Sequence, residues 1–191
     1  GDSLKEIAVV IRNAQNEHRL AVFGGDGRVV ATLVLPAEVY YDPTLIPSPQ
    51  GGQIGPEDVV VVTVAGDVLR ITYANNALSS ARILQLGAAA AATYDPLARE
   101  LVFTYPQRNS VEVYSLVQAQ WQRVRELNIA SAFAYPVVRS GQAYYGVTVA
   151  NQLTAVNRDT GNPLAGFPVA LGGQAAGALV MGDVVADSPG S

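Results

Sequence analysis

The stretch Gln152-Leu153-Thr154-Ala155-Val156-Asn157-Arg158-Asp159-Thr160-Gly161-Asn162-Pro163-Leu164-Ala165-Gly166-Phe167-Pro168-Val169 decides the fold. An apolar run, Leu153–Asn157, meets the turn formers Asp159, Thr160, Gly161 and Asn162, and a second apolar run, Phe167–Leu171, follows. Val, Leu, Ile, Thr and Tyr favour pleated chain, and Asp, Asn and Gly favour tight reversals, so this reads as strand, hairpin, strand. The same phrase recurs upstream. Third strands begin at Leu20, Leu69, Val111 and Leu153, at spacings of 49, 42 and 42 residues. Fourth strands follow each after a hairpin: Val29–Leu35, Arg82–Leu86, Val124–Ile129 and Phe167–Leu171. Second strands precede them at Ile7–Ile11, Val59–Val64, Leu101–Tyr105 and Ala143–Val149. A period of about 40–50 residues with four short strands per unit is the pattern of β-propeller blades.

The count leaves one first strand short, because the chain enters its first unit directly at a second strand. Ala178–Val185 is the last apolar run and is expected to supply the missing strand beside Glu6–Ile11. Pairing the two termini removes the open edges of the ring. The expectation is therefore an all-β chain, a four-bladed propeller of four antiparallel strands per blade. Its units are residues 1–36 with 174–191, then 37–87, 88–129 and 130–173. Small-residue runs at Ala88–Ala92, Ala130/Ala132/Ala134 and Ala175–Ala178 are read as innermost strands, crowded at the axis. The long spacing falls on Asp42–Glu57, rich in Pro and Gly, which reads as a surface excursion and an alternative binding loop.

Composition narrows the chemistry. The chain has 191 residues, no cysteine, one histidine (His18) and a net charge of -4. Absence of Cys excludes disulfide staples, Cys-ligated metal and thiol catalysis. Mild acidity argues against a nucleic-acid binder, which needs a basic face. The apolar runs are too short for a membrane helix.

Gly141–Leu171, with the phrase quoted above, resembles the repeats of the FG-GAP/VCBS and quinoprotein-like propeller families. Gly1-Asp2-Ser3-Leu4-Lys5-Glu6-Ile7-Ala8-Val9-Val10 and Arg19–Gly27 resemble the same repeat's second strand, third strand and turn. A rigid loop-bearing scaffold without catalytic motifs leads to the expectation of an extracytoplasmic module of a larger bacterial surface protein or assembly. FG-GAP repeats carry a closely spaced Asp trio for calcium, which this chain lacks. The alternative cation site is Asp2, Asp183 and Asp187 at the ring closure, against a reading as solvated loop acids. Otherwise no metal and no cofactor is expected.

Individual motifs carry little catalysis. Asp159-Thr160-Gly161 spells the aspartic-protease triplet but sits in a polar hairpin. Gly24-Gly25-Asp26-Gly27 lacks the Lys-Ser/Thr and the helix of a phosphate loop. Candidate binding residues are Tyr41, Tyr94 and Tyr135, which could recur around one axial rim, and Trp121 in the polar hairpin Gln118–Gln122. The expectation is a non-enzymatic binding or structural module, taking a protein or glycan partner or self-assembling. The alternatives are a lectin-like glycan binder and a fragment of a quinoprotein-like or hydrolase propeller enzyme.

Overall fold

A computed structural model describes residues 6–48 and 57–179, with strands and no helix among them. The first sheet contains β1 (Ile7–Arg12), β2 (His18–Phe23) and β3 (Val29–Val34). The second contains β4 (Thr44–Pro47), β5 (Glu57–Val62), β6 (Asp67–Ala74) and β7 (Ala77–Gln85). The third contains β8 (Ala91–Asp95), β9 (Glu100–Thr104), β10 (Ser110–Val117) and β11 (Gln120–Asn128). The fourth contains β12 (Val138–Ser140), β13 (Ala143–Val147), β14 (Gln152–Asn157) and β15 (Val169–Ala170). Each sheet is an antiparallel meander in chain order, and together they are the blades of a four-bladed β-propeller.

Neighbouring blades touch through their first strands. Thr44 donates its hydroxyl to the Ala92 carbonyl at 3.1 Å, and Thr93 donates to the Val137 carbonyl at 2.8 Å. Between blades, three apolar clusters fill three seams. Leu20 and Leu35 meet Val39, Val59, Val61, Leu69 and Ile71 between the first and second blades. Val60, Val62 and Val68 meet Ala92, Leu101, Phe103 and Tyr105 between the second and third. Val102, Val111, Val113 and Leu127 meet Phe133, Val137, Tyr144 and Val156 between the third and fourth. A strand of an inner blade sends alternate side chains into different seams, which explains why β5 and β9 are apolar on both faces. Each such Val or Leu contributes about 1.5–3 kcal/mol by burial.

Two expectations are corrected. First strands coincide with the small-residue runs only in part: Ala91 and Ala92 open β8, whereas Ala130–Ala134 forms only an isolated bridge at Phe133 and the first strand of its blade is β12. Asp42–Glu57 is not wholly an excursion, since Thr44–Pro47 within it is the innermost strand of the second blade. Pro47 is tolerated there because β4 is an edge strand of its sheet. The expected pairing of Ala178–Val185 with the amino-terminal strand, and Asp2, Asp183 and Asp187 with it, lies outside the described residues.

The turn between second and third strands is built the same way in three blades. Asn13 Oδ1 accepts the Glu17 amide, Thr63 Oγ1 accepts the Asp67 amide, and Thr148 Oγ1 accepts the Gln152 amide. Three residues beyond each acceptor, the backbone is left-handed, at Asn16, Gly66 and Asn151. Asn and Gly are the residues that tolerate that conformation.

Charge is buried at the seam of the third and fourth blades. Asp95 is 1% exposed and Glu100 is 6% exposed, so neither can be left without a cation. Arg139 grips both oxygens of Asp95, the closer contact being 2.5 Å. Arg125 and Arg158 reach Glu100 at 2.6 and 3.2 Å. The amides of Leu97 and Ala98 also donate to Asp95, each at 3.0 Å. This is interblade cement.

Buried phenols give a pH prediction. Burial raises the pKa of Tyr105, Tyr114 and Tyr144; for Tyr114 the hydrogen bond to Glu112 adds to it and the value is about 12. An unfolded phenol ionises near 10. The folded state thus favours the neutral form, and this stabilisation is complete below about pH 10 and lost as pH rises through the folded values. In an alkaline titration followed by phenolate absorbance, some of the nine tyrosines should ionise only as β-structure is lost. One wave near pH 10 with unchanged circular dichroism would contradict this.

Candidate functional site

Strand register decides which tyrosines meet. Val39 bridges Thr63 and Thr44 pairs with Val60, so five steps on one chain match three on the other. Phe133 bridges Thr148 and Val138 pairs with Tyr145, which leaves the same two-residue surplus. The third blade has none, for Ala91–Asp95 pairs continuously with Glu100–Thr104. Tyr41 and Tyr135 lie in these two excursions, on blades opposite each other in the ring. Burial raises the Tyr41 pKa, and the neighbouring Tyr135 phenol adds to the shift. Tyr135 also donates its hydroxyl to the Ala175 carbonyl at 3.1 Å. Tyr94 shares the Tyr-Asp-Pro motif with Tyr41 but not its place: it lies inside β8 and packs into the seam between the second and third blades. The three do not form one rim.

Tyr94 instead keeps company with Trp121. The turn residues Gln118 and Ala119 are both left-handed, at φ 48° and 63°, and set Trp121 directly opposite Leu116 in the β10–β11 pair. Trp121 is half-buried and packs against the cluster containing Ile46 of the second blade. It therefore spans a seam rather than packing only under its own blade.

On either side of Trp121 an open groove follows that seam. One lobe, about 460 Å³, is bounded by Arg70, Arg82 and Ile83 of the second blade and Leu116 and Trp121 of the third. The other, about 680 Å³, is bounded by Tyr94, Pro96, Arg99 and Ser115. Ile46, Pro47, Leu116 and Trp121 line both. No Asp or Glu lines either lobe among the described residues.

The arginines are not equivalent. Arg70 donates to the buried Asp58 at 2.6 Å, which fixes its fork. Arg82 is 64% exposed and holds Asp67 at 3.1 Å. Arg99 is exposed, left-handed at φ 57°, and makes no ion pair among the described residues. Burial raises the Tyr94 pKa, Arg99 opposes the shift, and Asp95 adds to it. A groove of this kind offers an aromatic face and guanidinium forks, the equipment for holding a planar or ring-shaped anion.

The remaining candidates are structural. Asp159-Thr160-Gly161 is a hairpin in which Asn157 Oδ1 accepts the amides of Asp159 and Thr160 at 2.9 and 3.0 Å. His18 starts β2, and its Nδ1 accepts the Val39 amide at 3.3 Å. No group of three or more His, Asp or Glu is placed to hold a metal ion among the described residues. Sequence reading missed Arg70, Arg82, Arg99 and Leu116. The signal lay in the flanks of the turn, where Leu116 and Trp121 stand one residue outside Val117 and Gln120.

Meandering sheets, apolar seams and a cleft along one of them define a small β-propeller with a seam groove. No family model matches the chain, and no curated protein matches it. Among solved structures it is similar to dihydro-heme d1 dehydrogenase NirN in complex with DHE, at a TM-score of 0.51 and 13% identity. The match covers 87% of this chain and 44% of that one, and at this identity it is a likeness of fold alone.

Proposed function

We propose that the chain is a non-catalytic binding module of a larger extracytoplasmic protein, needing no cofactor. Its ligand lies along the groove between the second and third blades. The observation that carries this is Trp121, half-buried between two lobes that share it, with Tyr94 on one side and arginines on both. Among the described groove residues, Ser115 donates its hydroxyl to Glu100 at 3.4 Å, but Arg125 and Arg158 already hold that carboxylate, so it is not free to act as a base. Recognition uses the cleft without needing one.

The test is binding to an immobilised panel of glycans and peptides. Trp121→Ala and Tyr94→Ala should each weaken capture of the retained ligand by about tenfold or more, as loss of a central aromatic anchor does. Tyr135→Ala, outside the groove, should leave it unchanged. Equal retention by all three variants sinks the proposal.

A further inference from the structure

We propose that the groove selects an acidic oligosaccharide, a chain of sugar rings carrying carboxylates along its length. This rests on the groove being the binding site. The protein as a whole is acidic, with a net charge of -4, yet the groove is lined by Arg70, Arg82 and Arg99 and by no acid among its described residues. Arg82, 64% exposed and sharing its charge with Asp67, lies in one lobe and Arg99 in the other, with Trp121 lining both. That order matches a ligand with a flat apolar ring face at the centre and negative charge on both sides. Arg99 has no carboxylate partner among the described residues, so its fork is open to one, and a guanidinium pairs with a carboxylate bidentately. A single compact anion would leave one lobe unfilled. An acidic peptide supplies charge and could meet the unpaired edges of β7 and β11 beside the groove, but it brings no sugar ring face for Trp121 to stack on.

The experiment titrates the full chain with a short oligogalacturonate, a neutral galactose oligomer of equal length and an oligoglutamate peptide of similar charge. Trp121 is the single tryptophan, so its emission reports on the groove while calorimetry reports total binding. Oligogalacturonate should shift the emission and bind about tenfold or more tighter than the neutral oligomer. Arg99→Gln, at an exposed turn, should erase most of that preference while the fold stays intact by circular dichroism. Equal binding of the neutral oligomer, or preference for the peptide with the emission still shifted, overturns the acidic-sugar assignment and leaves the groove as a site. Heat of binding without any change at Trp121, or no binding by any probe, overturns both.

Discussion

Arg139→Met should lower the melting temperature by about 10 °C, the largest loss expected from a single surface-proximal change. Arg139 is only 16% exposed and holds a carboxylate, Asp95, that is 1% exposed. Removing the cation leaves that charge buried. Stranding one partner of such a pair costs about 3–5 kcal/mol. Two backbone amides still donate to Asp95, and Arg158 stands at 3.9 Å, so the low end of that range applies. In a domain of this size each kcal/mol moves the melting temperature by about 2–4 °C. The decisive comparison is the double variant Arg139→Met with Asp95→Leu. Recovery of part of the loss shows that the stranded charge, and not missing bulk, is the cause. If the single variant melts within a degree or two of the parent, the third and fourth blades are not held by this pair.

Gly66→Ala should be nearly as damaging, for a different reason. Gly66 has φ 83°, which an L side chain adopts at a cost of about 1–2 kcal/mol. It also abuts the chain that leaves β7: an added Cβ would lie 2.5 Å from the Ala88 nitrogen and 2.7 Å from its carbonyl oxygen. Backbone cannot yield as a flexible side chain does, so overpacking adds about 1–3 kcal/mol. Movement there would break the 2.8 Å bond from the Leu86 amide to the Gly66 carbonyl, which ties the end of the second blade to its own turn. Gly27 is the control. It has φ 79° but nothing within 4 Å of an added Cβ, so Gly27→Ala pays only the conformational cost. Chemical denaturation should show Gly66→Ala losing clearly more than Gly27→Ala. Equal losses would contradict a cost from the close approach at Ala88.

The repeat was legible because hairpin chemistry is local. Gly66, Asn151 and the Asp159–Asn162 turn mark where the chain reverses, and the runs between them fix strand number. Registers inside the first strands were not legible. Tyr41 and Tyr94 head the same tripeptide, yet a two-residue surplus in one blade sends them to different places, and only pairing with the second strand reveals it. Ala130–Ala134 misled similarly: its small side chains suit the crowded interior, but the hydrogen-bonded strand starts at Val138. Partners across seams were beyond local reading altogether. Arg139 and Asp95 stand 44 residues apart, and Arg158 and Glu100 stand 58 apart. Charges in strands signal a need for partners but do not name them. Trp121 could be placed at a hairpin, whereas its packing against the cluster that holds Ile46 depends on which blade lies beside it.

The groove can be probed with no ligand in hand. Trp121 emission should be quenched by iodide several-fold more strongly than by caesium at constant ionic strength, each scaled to neutral acrylamide. An arginine-lined cleft concentrates anions even on an acidic protein, and it does so locally because salt screens charge beyond about 10 Å. Stronger quenching by caesium, equal quenching by both, or a tryptophan that neither ion reaches would contradict a cationic, open cleft between the second and third blades.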